Sequence, residues 1–179
     1  MAGASDALRE DADPPKGPGV SSASGQPEKA VPHLSERELL AWRGMLEVHG
    51  RLMPALDEEL RQAVDLSLSE FDVLYQLWIQ PGGRLRMKHL AAVLLITPGG
   101  VTRIVSRLEA EGLVRRVSRP GEQAVDAVLT PKAVTRLARA MDVHFAGVKT
   151  MFTAVLADDE AEILAALWSR IRAAPGRES

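Results

Sequence analysis

The chain has 179 residues, of which 46% are hydrophobic and 26% are charged, the balance of a protein that folds around its own core. The net charge of −2 argues against a protein that coats nucleic acid without selectivity, and the absence of cysteine excludes disulfides, thiolate metal sites and thiol redox chemistry. Because there is no apolar run of about 20 residues and no N-terminal signal core, we expect a cytoplasmic protein.

The charge is unevenly distributed along the chain. Between Arg84 and Arg119 there are eight basic residues and only two acidic ones, so this segment carries +6. Because the whole chain carries −2, the remainder carries −8. A basic patch on an acidic body is typical of a protein that binds DNA at selected sites.

The chain begins with a segment that has no apolar period. Residues 1–33 are rich in proline, glycine and serine. Such a segment cannot bury enough apolar surface to offset the entropy lost on ordering it, so we expect a disordered tail there. We expect a second disordered tail at residues 175–179, after the last predicted helix.

A long amphipathic helix follows the N-terminal tail. Ser35 and Glu38 have the spacing of a capping box, and the helix is expected to kink at Pro54 and to continue to Val64. Its apolar stripe is too long for a small domain to cover, so it requires a second long helix, in this chain or in a partner. The stripe consists of Leu39, Trp42, Leu46, His49, Met53, Leu56, Leu60 and Val64.

Two shorter helices are predicted next. The first has the sequence SEFDVLYQLWIQ, with Ser69 as its cap and the Pro–Gly–Gly sequence at 81–83 after its end. Residues 84–86 are suited to a short strand, and residues 87–95 to a short helix. The inward face of the first helix is predicted to be Phe71, Leu74, Tyr75 and Trp78.

The segment TPGGVTRIVSRLEAEG, residues 97–112, is predicted to be a helix with both ends marked. Thr97 can cap the first turn, Pro98 suits the first helical position, and Gly112 can take the left-handed conformation that ends a helix. A buried stripe lies opposite a small, polar face with two arginines, which is suited to a DNA major groove but is also found on ordinary surface helices. The stripe is Val101, Ile104, Val105 and Leu108, and the polar face is Gly99, Thr102, Arg103, Ser106, Arg107 and Ala110.

Two strands and two helices complete the chain. Residues 113–118 and 124–129 are predicted strands on either side of a turn, which makes a hairpin directly after the polar helix. Thr130 caps a helix that continues to near Leu156, and Asp158 is predicted to cap the last helix. The last stripe is Ile163, Leu164, Leu167, Trp168 and Ile171.

The order of these elements resembles that of the MarR (multiple antibiotic resistance regulator) family of winged-helix transcription factors. The resemblance implies a mainly α fold with a small β-hairpin wing, in which residues 67–130 form a DNA-binding winged helix-turn-helix. Residues 34–66 and 131–174 would be long helices that form a dimerisation bundle. The resemblance to the family rests on three motifs, which are LSEFDVLYQL at 68–77, TPGGVTRIVSRLEAEGLVRR at 97–116 and VLT at 128–130.

The resemblance implies a homodimeric, sequence-specific DNA-binding regulator. We expect no enzyme activity, cofactor or metal, because the sequence offers neither a paired acid and base nor a metal site. We expect a repressor that a small aromatic or phenolic effector releases from a pseudo-palindromic operator in double-stranded DNA, with half-sites about one helical turn apart. Trp42, His49 and Tyr75 are the candidates for the effector pocket. The candidate DNA-binding residues are Arg86, Lys88, Thr97, Gly99, Gly100, Thr102, Arg103, Ser106, Arg107, Arg115, Arg116 and Arg119.

One stretch departs from the family pattern. The wing of the family commonly carries an acidic residue followed by an arginine that reaches the minor groove, whereas this chain has Gly121, Glu122 and Gln123. The arginines left to contact DNA from the wing are those at 115, 116 and 119. The departure favours a second hypothesis, a winged-helix module that binds a protein and has little affinity for DNA.

Overall fold

The computed structural model describes residues 33–118 and 124–174, which leaves most of the predicted N-terminal tail and the C-terminal tail outside the described part. Six α-helices and three β-strands occur in that part, with short 3-10 turns at Pro81–Gly83 and Thr153–Val155. They are α1 (Glu36–Val64), α2 (Leu68–Trp78), β1 (Arg84–Arg86), α3 (Met87–Leu94), α4 (Pro98–Ala110), β2 (Val114–Ser118), β3 (Val125–Leu129), α5 (Pro131–Met151) and α6 (Asp158–Ala173).

The strands form one antiparallel sheet in the order β1-β3-β2. In the register, Ala127 of β3 lies opposite Leu85 on one side and opposite Arg116 on the other. The suggested strand at 84–86 is therefore confirmed, and it pairs with the hairpin rather than standing alone. This pairing ties the segment that precedes α3 to the strands that follow α4.

A single aliphatic core joins α2, α4 and β3 to the C-terminal half of α1 and the N-terminal half of α5. The predicted stripe of α4 is buried at Val101, Val105 and Leu108 and partly buried at Ile104. α1 contributes Leu56 and Leu60 from its second half. The other fully buried large side chains include Leu66, Phe71, Val73, Leu74, Leu77, Leu90, Leu113 and Leu137.

α2 differs from its prediction in its cap and in its buried face. Ser67, not Ser69, is the cap: its hydroxyl accepts a hydrogen bond from the Glu70 N–H, and the Glu70 carboxylate accepts one from the Ser67 N–H. Trp78, predicted to face inward, is exposed, whereas Val73 and Leu77 are buried. The helix packs against α4, α5 and β3 together, so its buried arc is wider than one stripe.

The start of α6 also differs from the prediction. Ala157 occupies the cap position, and Asp158 is the first helical residue. The carboxylate of Glu160 accepts a hydrogen bond of 2.9 Å from the Ala157 N–H, which satisfies a donor at the helix start. A glutamate three residues after the cap position thus decided the boundary, as it did in α2.

The terminal helices have apolar stripes that nothing in the described part of the chain covers. α6 buries no residue, and its stripe is exposed except for the half-buried Leu164. In the first half of α1, Trp42 is 51% exposed and Leu46 is 48% exposed. The predicted stripes of α1 and α6 are therefore present. Within the described part of the chain, the second half of the α1 stripe packs against α5, and the first half of α1 and the stripe of α6 stay exposed.

The turn between α3 and α4 contains a leucine with left-handed backbone. α3 ends at Leu94, one residue earlier than predicted, and Leu95 takes φ 54° and ψ 37° with its side chain 92% exposed. The two helices meet at a bend of 110°. Neither of them, nor any other described helix, is by itself long and apolar enough to cross a membrane, although the bent pair reaches that apolarity when taken together.

The backbone of Leu95 leads to a prediction about stability. A side chain with a Cβ is strained at positive φ, and glycine is not, so Leu95→Gly is expected to raise the free energy of unfolding by about 1 kcal/mol. Urea denaturation at fixed protein concentration measures the change. Val93→Gly, inside α3, is the control and should lower the same free energy by about 0.5 kcal/mol. A Leu95→Gly protein that is destabilised as much as the control contradicts the prediction.

Asp72 is a half-buried carboxyl on α2 whose burial raises its pKa to about 6. In the unfolded chain an aspartate titrates near about 3.9, so between these two values the folded chain holds a proton that the unfolded chain has released. Because the folded pKa is the higher one, the stability that this group contributes is complete below about pH 4 and is lost as the pH rises through 6.

Asp72→Asn is therefore expected to stabilise the protein only at the higher pH. Relative to wild type, the free energy of unfolding should rise by on the order of 2 kcal/mol at pH 8 and change little at pH 4. Urea denaturation of both proteins at both pH values measures this, and all other titrating groups cancel in the difference. An equal difference at pH 4 and pH 8 would show that Asp72 does not titrate abnormally.

Candidate nucleic-acid interface

The predicted ends of α4 are confirmed. The Thr97 hydroxyl accepts a hydrogen bond of 3.1 Å from the Gly100 N–H, and Pro98 occupies the first helical position. Gly112 has φ 71°, the left-handed conformation that follows a helix end. These local signals place α4 on the chain, and the buried stripe then fixes which of its faces points outward.

The outward face of α4 is small and polar. Gly99 has nothing within 4 Å of the position where a Cβ would be, so another molecule can approach the backbone closely there. The hydroxyls of Thr102 and Ser106 donate hydrogen bonds of 2.9 and 2.8 Å to carbonyls one turn earlier, those of Pro98 and Thr102. The Thr102 hydroxyl can still accept a hydrogen bond from a ligand, whereas the Ser106 hydroxyl already accepts one from Arg116.

Three of the predicted basic residues have no internal partner. Arg103 on α4, Lys88 on α3 and Arg115 on β2 are exposed, and none of them makes a hydrogen bond or ion pair within residues 33–118 and 124–174. Arg103 lies on the same helix face as Thr102 and Ser106. These are the cations that can bind another molecule without first breaking a contact.

Arg107 is engaged by acidic residues instead. Its Nε atom lies 2.8 Å from Oε1 of Glu70 on α2 and 3.5 Å from Oε1 of Glu111. The Glu70 side chain is only 3% exposed, so its charge depends on this arginine for compensation. The guanidinium that was predicted to meet DNA is thus directed to the start of α2.

Arg116 is engaged as well, and it joins β2 to α4. Its Nη1 atom is 3.1 Å from Oε2 of Glu109, and its Nη2 atom donates to the Ser106 hydroxyl at 2.6 Å and to the Thr102 carbonyl at 3.0 Å. Its backbone N–H donates to Oε1 of Glu109. These contacts hold the hairpin against α4, and the DNA contact predicted for Arg116 stays a prediction.

An ion pair between β1 and β3 involves a buried acid that sequence reasoning missed. Asp126 of β3 is buried and accepts two hydrogen bonds from Arg84, at 3.2 Å from Nε and 2.5 Å from Nη2. Arg86 lies opposite Asp126 in the register of β1 and β3. The signal was an aspartate within an otherwise apolar strand, which requires a cationic partner once buried.

A concave basic surface lies where α3, α4 and the hairpin meet. It is a cavity of about 470 Å³ with three basic residues in its lining and no acidic ones. The lining consists of Arg86, Met87, Lys88, Thr102, Arg116, Ala124 and Val125. Arg119 and the wing residues Gly121, Glu122 and Gln123 lie outside the described residues.

The three effector candidates are not brought together by ring contacts in the described part of the chain. Tyr75 packs against Phe71, Trp78 and Phe145, with ring centroids 5.8, 6.0 and 6.1 Å apart. Trp42 and His49 are instead exposed on the first half of α1. No cluster of acids and histidines suited to a metal ion occurs among the described residues.

His144 of α5 is a member of the aromatic cluster that sequence reasoning missed. Its ring lies 4.5 Å from that of Phe71, and its Nδ1 atom is buried without a hydrogen-bond partner. Burial lowers its pKa, although the nearby Glu59 carboxylate acts in the opposite direction. Its position seven residues after Leu137, on the same helix face, was the available signal.

Known proteins with related sequences identify the family of this chain. A model of the MarR family matches residues 64–123. An uncharacterized HTH-type transcriptional regulator of Bacillus cereus is 32% identical over 117 residues, which are 65% of this chain and 76% of that protein.

Solved structures agree with the sequence comparison. Sco3205, a MarR family transcriptional regulator from Streptomyces coelicolor in complex with DNA, has a TM-score of 0.77 at 26% identity, over 83% of this chain and 95% of its own. The organohalide-sensing regulator RdhR-CbdbA1625 in its 2,4-dichlorophenol-bound form shares the fold, with a TM-score of 0.67 at 24% identity over 86% and 87% of the two chains. With its winged helix-turn-helix and these relatives, the chain belongs to the MarR family of DNA-binding transcriptional regulators, which are not enzymes.

Proposed function

We propose that this regulator is a homodimer that binds a pseudo-palindromic operator in double-stranded DNA and represses transcription until a small aromatic molecule releases it. The proposed DNA contact rests on one observation: Arg103 is exposed on α4 and has no partner within the described residues. A guanidinium in that condition can donate two hydrogen bonds to the edge of a guanine.

The phosphates of the DNA backbone would bind around this base contact. Lys88 on α3 and Arg115 on β2 are exposed cations, and Arg86 and Lys88 line the basic cavity. The N-terminus of α4 supplies the backbone N–H groups of Thr97 and Gly99 and the positive end of a helix dipole, whereas the Gly100 N–H already binds the Thr97 hydroxyl. These contacts set affinity and orientation, and Arg103 sets sequence preference.

Arg107 and Arg116 have supporting roles in this proposal. Both guanidiniums bind acidic side chains of the protein, which are Glu70 and Glu111 for Arg107 and Glu109 for Arg116. A phosphate contact by either would compete with these ion pairs. Arg119 stays a prediction, since it lies outside the described residues.

The dimer is supported by the exposed stripes of the terminal helices. An isolated helix of the length of α6 is marginal in water, and in this chain it buries no residue. A second copy can cover α6 and the first half of α1 by packing the same elements across a two-fold axis. The two copies would then present two α4 helices to successive major grooves.

The same architecture supports the proposal of repression and release. A dimer bound across a promoter excludes other proteins from that DNA. The aromatic cluster of Tyr75, Phe71 and Phe145 lies where α2 packs against α5, between the winged unit and a terminal helix, and the unpartnered Nδ1 of His144 can accept a hydrogen bond from a phenol. The bound dichlorophenol in a protein of the same fold supports a phenolic effector, whereas Trp42 and His49 stay predictions for its pocket.

Two substitutions separate base recognition from phosphate binding. Arg103→Ala should weaken operator binding by about 1–3 kcal/mol and relax the preference for the bases it contacts. Lys88→Ala should weaken binding to all sequences alike and reduce the slope of log affinity against log salt by about 1. Mobility shifts on the promoter of the protein's own gene, at several salt concentrations, measure both effects.

Arg139→Ala is the matched control for this pair, because Arg139 is an exposed arginine on α5, outside the winged unit. It should leave affinity and salt dependence unchanged. Unchanged binding in both Arg103→Ala and Lys88→Ala would remove the DNA contact proposed for these residues. A wild-type protein without a protected site or a steep salt dependence would instead support the protein-interaction module.

The dimer can be tested on α6. The double variant Leu167→Asp, Ile171→Asp places two carboxylates on the exposed stripe, where burial against a second copy would leave them unpaired. Sedimentation equilibrium should show a monomer and mobility shifts should show weakened operator binding. Leu95→Asp, at an exposed leucine far along the chain from α6, is the control and should remain a dimer. A double variant that sediments as the wild type does would contradict an interface on this stripe.

A further inference from the structure

A line of alternating charges joins the C-terminal end of α4 to three other helices. Arg107 binds Glu70 of α2 at 2.8 Å, and it lies 3.5 Å from Glu111, which follows α4 directly. The other oxygen of Glu111 binds Nη1 of Arg136 on α5 at 2.7 Å. These four residues are called the charge relay below.

Both ends of the charge relay are attached to backbone. The Oε2 atom of Glu70 accepts hydrogen bonds of 2.8 Å from the N–H and the hydroxyl of Ser67, at the start of α2. Arg136 donates to the carbonyls of Val64 and Asp65, at the end of α1. The relay therefore connects the starts of α2 and α5, the end of α1 and the end of α4.

The relay has features that distinguish it from scattered surface ion pairs. The Glu70 side chain is almost fully buried, and that of Arg136 is 23% exposed. Arg136 also satisfies carbonyls that have no partner inside α1, where a cation is favoured by the helix dipole. Loss of one member leaves a partly buried charge or carbonyl without its partner, so the members act together.

The charge relay holds the C-terminal end of α4. The N-terminal end, which would enter the groove, lies a short distance away. A helix of 13 residues is about 20 Å long. A tilt of about 10° at its C-terminal end would move its N-terminal end by about 3.5 Å, close to the rise of one base pair. The anchor at Glu111 and Arg136 thus controls where the groove-facing residues lie relative to the terminal helices.

We propose that the charge relay sets the half-site spacing that the dimer accepts, with Arg107, Glu111 and Arg136 as positioning residues that do not touch DNA. This inference rests on the proposed function, because it requires a dimer that binds two half-sites. The relay joins α4 to α1 and α5, whose stripes lead to the other copy, so the distance between the two α4 helices is transmitted through it. Apolar packing at Val105 and Leu108 fixes the rotation of α4 about its own axis, and the relay fixes its tilt.

The test is a series of operators that differ only in the number of base pairs between the half-sites, from two fewer to two more than in the natural site. Wild-type protein should bind the natural spacing best and each altered spacing at least tenfold more weakly. Glu111→Gln, which leaves the bonds from Arg136 to the α1 carbonyls in place, should bind all five spacings within about threefold of one another. Its salt slope should equal that of wild type, because no phosphate contact is lost.

Arg136→Met is the stronger variant, and it should show the same loss of spacing preference with a lower melting temperature. Arg136→Lys restores the charge and should recover part of the preference. Arg103→Ala is the matched control, since it should lose base preference and keep the spacing preference of wild type. Sedimentation of every variant establishes that the dimer persists at the concentrations used.

The possible outcomes are distinct. If wild type prefers one spacing and Glu111→Gln prefers it as sharply, the charge relay does not set spacing and the proposal is overturned, while the proposed function stands. A reduced salt slope in Glu111→Gln or Arg136→Met overturns it as well, because the relay then acts through phosphates. If wild type binds no operator of the series, the proposed function fails and the inference fails with it.

Discussion

Burial of one face of α4 decides which side chains this helix can present to another molecule. Val101, Val105 and Leu108 are almost completely removed from water, and each such side chain contributes about 1.5–3 kcal/mol relative to an exposed position. Exposed ion pairs contribute about 1 kcal/mol or less. The rotation of α4 is therefore set by apolar packing, and Thr102, Arg103 and Ser106 face outward as a consequence.

The acidic residues around α4 then determine which arginines bind within the protein and which remain available to another molecule. Glu70 is too buried to remain without a cation, so it binds Arg107. Glu109 in turn binds Arg116 and holds the hairpin against the helix. Arg103 has no such neighbour in the described part of the chain and remains available. Formal charge along the sequence thus overstates the charge that the basic segment can offer to DNA.

The terminal helices differ in how far their apolar stripes are buried. The second half of α1 packs against α5 and belongs to the core, whereas the first half of α1 and all of α6 leave their stripes exposed. The charge relay lies where α4, α5 and the C-terminal end of α1 meet, between Glu111 and the carbonyls of Val64 and Asp65. The relay therefore links α4 to the part of α1 that belongs to the core.

The sequence by itself determined the order of the elements, the stripe of α4 and the caps at Thr97 and Thr130, because these depend on neighbours within a few residues. The Ser67 cap of α2 was also readable in the sequence, because Glu70 lies three residues after it in the spacing of a capping box, although Ser69 was predicted instead. Two placements needed the tertiary structure. The ion pairs of Arg107 with Glu70 and of Arg116 with Glu109 form only in the folded chain. His144 joined the aromatic cluster because α5 packs against α2 at Phe71, a contact that periodicity within one helix does not specify.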